Sequence, residues 1–335
     1  MTESDIRAHL NALAKPRGSM GRLEEIAVVL AMTQGRIDPA TKPRQLVLFA
    51  GDHGCVADGV SAWPSAVTGM MVATILAGKA TSSALAAAQD CPLRLVDVGV
   101  AGPHVERGPA FFRDARVADG TESIARAPAM TPAQFDAAWQ VGAEEAEQAI
   151  GAGTWVLIAG EMGIGNTTPV ACLTSLLAGI DANEAVGRGA GADNAVMAIK
   201  RRIVRNAVDR ARAMDELSGM ASVCGYEISA MAGFYAVGAA AGATLLVDGY
   251  VATAAALIAE RLAPGTRRAM IAGHRSAEPG HRTALDKLGL DPILDWGMRL
   301  GEGSGALVAL PLLDSAAALL TGVARLDAIG AARED

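Results

Sequence analysis

The 335-residue chain has a formal net charge of −7, 51% hydrophobic but only 4% aromatic residues, and 38 glycines. The acidic balance argues against a nucleic-acid binder, which would show a basic footprint. A core made of Ala, Val, Leu, Ile and Met points to close-packed α/β architecture rather than an all-β fold, in one large domain or two of ordinary size.

Taken in chain order, the start MTESDIRAHL lacks a basic n-region and an apolar h-region, so no signal peptide is expected. The pattern over 1–35 is helical. A grammar then repeats, in which a short apolar run is followed by a glycine-rich polar turn and a helical stretch. "QLVLFAGDHG" (45–54), "LRLVDVGVAG" (93–102), "TWVLIAGEMGIGNTT" (154–168), "TLLVDGYVAT" (244–253) and "RAMIAGHRS" (268–276) are its five cases. Continuous apolar runs suit strands buried on both faces, as in a parallel sheet, where ligands sit beyond the carboxyl ends of the strands. Asp52, His53, Asp97, Glu161, Asn166, Asp248, His274 and Arg275 all fall at those ends, which predicts one shared crevice.

Between the strands, 131–150 and 190–215 read as helices. The second has apolar residues at 196, 199, 203, 204, 207 and 208 and a basic outer face that reads as solvated. Twenty charge-free residues separate Glu227 from Asp248, and a buried helix followed by a strand suits them better than a membrane span. The segments 1–35 and 281–335 lie outside the strand grammar. They are expected to form a small helical domain beside a large α/β domain over 36–280. Cys55, Cys91, Cys172 and Cys224 are widely spaced with no CxxC pair, which suggests reduced thiols in a cytoplasmic protein.

Three stretches could carry chemistry. "GEMGIGNTTPVA" (160–171) follows a strand and opens a helix; Gly160, Gly163 and Gly165 let consecutive amides turn toward an anion at the helix N-terminus. A plain tight turn is the alternative, but Glu161 and Asn166 in the same loop favour a site. It is not a Walker A loop, because the Gly-Lys-Ser/Thr ending is absent. "GRGAGADN" (187–194), with Lys200 two turns into the next helix, is either a second phosphate cradle or a turn, and is poor as a dinucleotide fingerprint. In "DWGMRLGEGSGALVALPLL" (295–313), Glu302 stands between Gly301 and Gly303, either in a surface turn or where the backbone closely approaches a ligand. "GDHG" (51–54) reads as a hydrogen-bonded structural pair, and the histidines of "GHRSAEPGH" (273–281) as loop braces. Neither suggests a metal.

"LAKPRGSMGRLEEIA" (13–27), "GVSAWP" (59–64), "IARAPAMT" (124–131), "GEMGIGNTT", "GRGAGAD", "YEISAMAG" (226–233), "HRSAEPGH" and "GMRLGEGSGA" occur together. Over residues 5–322 the chain closely resembles the nicotinate-nucleotide:dimethylbenzimidazole phosphoribosyltransferase family. The resemblance implies a three-layer, Rossmann-like α/β domain with a small helical domain from both chain ends, assembled as a homodimer. It implies transfer of phosphoribose from nicotinate mononucleotide to 5,6-dimethylbenzimidazole, giving α-ribazole 5′-phosphate and nicotinate in cobalamin lower-ligand activation. By motif matching Glu302 is the general base and Glu161 holds the ribose hydroxyls, with Asn166 beside it. Gly163, Ile164, Gly165, Gly189, Gly191 and Lys200 hold the phosphate, Ser61 lies near the acceptor, and Leu300 lines the same pocket. No cofactor or metal is implied, because nicotinate leaves from a cationic pyridinium and is neutralised as it departs.

Two departures touch the acceptor side. Met70 stands where a glutamine is usual, and "AGKATSSALA" (77–86) stands where a Gly-Gly-Ala-Ala-Ile-Asn stretch is common. They leave open another benzimidazole, a purine or a phenol as acceptor. A non-catalytic nucleotide- or base-binding relative is the second function class. A Rossmann oxidoreductase is disfavoured because no strand–GxGxxG–helix unit is present.

Overall fold

A computed structural model describes residues 1–105, 108–189 and 191–330. The five apolar runs form parallel strands β1 (Arg44–Gly51), β2 (Leu93–Gly99), β4 (Val156–Met162), β5 (Thr244–Val247) and β6 (Met270–Ala272). A sixth, β3 (Phe112–Asp114), pairs Phe112 with Leu95 and Asp114 with Asp97 at the sheet edge. Its three residues are too short for a periodic signal. The order is β3-β2-β1-β4-β5-β6 with every pairing parallel, a doubly wound sheet whose direction of winding reverses between β1 and β4.

The helices are α1 (Glu3–Ala12), α2 (Arg22–Gln34), α3 (Ala66–Leu76), α4 (Thr81–Ala88), α5 (Pro132–Gly151) and α6 (Thr167–Ala178). They continue with α7 (Asn194–Arg212), α8 (Glu216–Ala221), α9 (Tyr226–Ala240), α10 (Tyr250–Leu262), α11 (His281–Leu288) and α12 (Ser304–Gly322). Alternation along each strand divides them into two layers. Val47, Phe49, Val96, Val98, Leu157 and Ala159 face one apolar cluster with α5, α6, α7, α9 and α10. Leu46, Leu48, Ala50, Leu95 and Ile158 face the other, with α1, α2, α3, α4 and α12.

The charge-free stretch resolves into α9 and β5, with α9 buried against the sheet and α5. Helices α5 and α9 cross at glycines: a Cβ on Gly142 would sit 1.7 Å from the Ala230 carbonyl oxygen, and one on Gly233 2.1 Å from that of Trp139. Helix α7 starts where Asp193 Oδ1 accepts from Val196 N–H at 2.9 Å, a side-chain cap that ends the glycine-rich turn before it.

The chain ends meet. Ala14 N–H donates to Ala324 O at 2.8 Å and Leu326 N–H to Ala12 O at 2.9 Å, and Ile6, Leu10, Leu30 and Leu310 share a core with the strand residues Leu46 and Leu48. Helix α11 does not join them, although its residues fall within the 281–335 segment grouped with the N-terminus. Its Ala284 and Leu288 pack on the opposite layer, against α10 and α6, where their apolar face is buried. Residues 331–335 of that segment lie outside the described residues. All four cysteines are free and buried.

Candidate active site

Where the winding reverses, the loops after the strands cannot cover one another, and a crevice opens at their carboxyl ends. It holds a cavity of about 470 Å³. Ser61 and Trp63 after β1, Val67 and Met71 of α3, the loop after β4, Asp248 after β5, His274 after β6 and the 299–302 turn contribute to its wall.

The acidic part is built around Glu302, which is 2% exposed and has φ +58, a left-handed conformation rarely held by a side-chain-bearing residue. Asp248 holds the turn there. Its Oδ2 accepts from Gly303 N–H at 3.1 Å, and its Oδ1 from Gly305 N–H at 2.7 Å and Ala306 N–H at 3.0 Å. The carboxylate thus satisfies amides at the start of α12 that would otherwise be orphaned. Gly301, at φ +89, lies directly against Glu161: a Cβ there would come within 2.1 Å of Glu161 Oε1. Glu161 ends β4, and its Oε2 accepts from Asn166 Nδ2. Burial, reinforced by the nearby Glu227, Asp248 and Glu302, pushes its carboxyl up to about 8, so it holds its proton near neutrality.

A second part of the wall joins the two glycine-rich turns. Ile164 N–H donates to Thr68 Oγ1 at 3.1 Å, and Gly189 N–H to Glu278 Oε1 at 3.0 Å. Lys200 reaches in from α7, fully buried, with Nζ donating to Thr167 Oγ1 at 2.7 Å and to Gly187 O at 3.0 Å. Burial lowers its ammonium to about 8 against the opposing pull of Glu278. Arg188 and Arg299 add positive charge to the wall.

A sequence model described as phosphoribosyltransferase matches residues 1–330. The chain belongs to this phosphoribosyltransferase family. A nicotinate-nucleotide–dimethylbenzimidazole phosphoribosyltransferase of Chromobacterium violaceum is 46% identical over 327 residues, which cover 97% of this chain and 94% of the relative. The enzyme of that name from Thermus thermophilus is 44% identical over 315 residues, covering 94% of this chain and 93% of its own. The crystal structure of CobT from Thermus thermophilus matches with a TM-score of 0.95 at 43% identity, over 99% of both chains.

In this phosphoribosyltransferase, Glu302, Glu161, Gly163, Ile164, Gly165, Asn166, Gly189, Lys200, Ser61 and Leu300 all line the one cavity. Gly191 is not part of its wall; at φ +106 it shapes the turn ahead of α7. Met70 also falls outside the wall, at 65% exposure, while its neighbours Val67 and Met71 line it. Helical geometry turns position 70 away from the cavity.

Asp52 and His53 find separate partners rather than each other. Ala101 N–H donates to Asp52 Oδ2 at 2.9 Å, and His53 Nε2 lies 2.8 Å from Glu227 Oε1, buried beneath Gly163. His281 braces its loop: Ser276 N–H donates to its Nδ1 at 2.8 Å, Thr253 Oγ1 lies 2.9 Å from Nε2, and burial lowers its pKa to about 3. His274 instead lines the cavity beside Asp248. The position of Asp248 after a strand places it in the crevice, but nothing in the sequence signals its work on the Glu302 turn. Glu278, Arg299 and Thr167 stand inside the quoted motifs yet carry no separate signal, since only tertiary packing brings them to the cavity.

Proposed function

We propose that this phosphoribosyltransferase moves 5-phosphoribose from nicotinate mononucleotide to 5,6-dimethylbenzimidazole, with inversion, giving α-ribazole 5′-phosphate and nicotinate. The observation that carries the reading is a buried carboxylate, Glu302, in the same cavity as two glycine-rich amide turns and the buried ammonium of Lys200. At about 470 Å³ the cavity falls within the roughly 300–1,000 Å³ of small-molecule sites.

One benzimidazole nitrogen attacks C1′ as the bond from C1′ to the nicotinate nitrogen breaks. The bonding pair returns to the pyridinium ring and neutralises it. The acceptor's second nitrogen then gives its proton to Glu302, so no cationic benzimidazole accumulates; a positioned base of this kind is worth roughly 10²–10⁴ in rate. A protonated Glu161 both donates and accepts, which suits it to ribose hydroxyls. The incoming phosphate competes with Glu278 for the Gly189 amide and is paired by Lys200. The reading includes a homodimer, supported by the long apolar stretch Ala66–Ala88, of which less than a third is buried within the chain. A cytoplasmic location is supported by the four free thiols.

Incubation of the protein with nicotinate mononucleotide and a panel of benzimidazoles, purines and phenols identifies the acceptor, read as an α-linked ribotide. Glu302→Gln is expected to keep the fold and nucleotide binding and to lose about 10²–10⁴ in turnover. Near-normal turnover in a folded Glu302→Gln protein would remove Glu302 as the base.

A further inference from the structure

The carboxylate of Glu302 does not sit alone on its turn. Ser82 Oγ donates to Glu302 Oε2 at 2.7 Å, across 220 residues of sequence, and it is the hydrogen-bond partner of that carboxylate among the described residues. Ser82 is fully buried in the first turn of α4 and is not part of the cavity wall. It reaches Glu302 from within the protein, whereas Glu302 itself faces the cavity.

Other hydroxyls in this chain's helices show how particular the arrangement is. Thr74, Thr174, Thr253 and Ser315 each donate back to the carbonyl four residues earlier, the usual resting place of a helical hydroxyl. For Ser82 the residue four before it, Gly78, lies two residues ahead of the N-cap Ala80, outside the helical carbonyl row, and the hydroxyl donates to Glu302 instead. Ser82 and Ala86, one turn apart, form the buried face of α4, and that face packs on α12, the helix that begins just after Glu302. Asp248 fixes the backbone of the turn through three amides, and Ser82 fixes its side chain. Oε1 is left to receive a proton from a ligand.

We propose that Ser82 is the positioning residue of the general base, holding the Glu302 carboxylate in one rotamer. The proposal rests on the reading of Glu302 as base. It gives the 77–86 departure a place in the fold: this stretch lies behind the base rather than on the wall of the acceptor pocket. A long, flexible side chain at a left-handed residue would otherwise sample several rotamers, and misplacement by about 1 Å can lower a rate roughly 10²-fold.

Ser82→Ala removes one buried oxygen and leaves the packing face intact. It is expected to lower kcat between about tenfold and a hundredfold, with the KM for nicotinate mononucleotide unchanged. Ser82→Thr keeps the hydroxyl and is expected to restore kcat. If Glu302→Gln is inactive while Ser82→Ala keeps wild-type kcat, Ser82 has no such role. If Ser82→Ala loses kcat only together with a higher KM for nicotinate mononucleotide, or if Ser82→Thr stays as slow as Ser82→Ala, the effect is merely structural and the proposal is likewise overturned. If Glu302→Gln is active, the base assignment fails first, and the role of Ser82 with it.

Discussion

Gly301→Ala tests the close approach on which the site depends. Gly301 has φ +89, so an alanine there carries strain of about 1–2 kcal/mol. Its Cβ would also stand 2.1 Å from Glu161 Oε1, and an ordinary contact requires that oxygen to retreat by about 1 Å. Because Glu161 Oε1 is the end of a flexible side chain, its retreat is cheap in stability, but a shift of this size is worth roughly 10²-fold in rate when the group touches substrate. A chain of this length unfolds with an entropy of roughly 0.7 kcal/mol/K, so the strain lowers Tm by only about 1.5–3 °C. Thermal scans and steady-state kinetics should therefore show a small stability loss beside a fall of about a hundredfold in kcat/KM. Gly35→Ala is the control: Gly35 caps α2 at φ +65 with nothing within 4 Å of its Cβ, so it is expected to show a similar Tm shift and full activity. A Gly301→Ala enzyme with kcat/KM close to wild type would refute the argument that the 299–302 turn and Glu161 work in contact.

Lys200 gives a pH dependence with a definite sign. Its free-enzyme ammonium is lowered to about 8, and a phosphate binds the charged form, so the KM for nicotinate mononucleotide is expected to rise about tenfold per unit above pH 8. Lys200→Met should bind more weakly below pH 8 and flatten the rise above it; an unchanged slope in that variant would place the titration elsewhere. Gly142→Ala tests the α5–α9 crossing, where the new Cβ would stand 1.7 Å from a backbone oxygen that cannot swing aside. The helices must separate, with a loss of about 1–3 kcal/mol or more that is read as a lower urea midpoint. An unshifted midpoint would mean that the crossing is looser than described.

Much of this architecture is legible in the sequence for plain reasons. Buried parallel strands have to be apolar along their whole length, so "QLVLFAG" and "TWVLIAG" declare themselves, and winding on both sides of a sheet obliges their polar followers to share one end. The glycines around Glu161 and Glu302 are legible too, because a backbone that must turn tightly against another group tolerates little else. Tertiary structure decided the rest. Whether α11 joined the terminal helices or the opposite layer was decided by the packing of Ala284 and Leu288 against α10 and α6, which its own short apolar pattern does not name. That Ser82 touches Glu302, or that Glu278 takes the Gly189 amide, has no local signal, since each pair is distant in sequence and each partner alone is an ordinary polar residue. Local periodicity records what a segment must bury. The identity of the atom a buried polar group meets is set only when the layers close over it, which is why the contacts that support the site were hidden while the motifs that carry most of its lining were not.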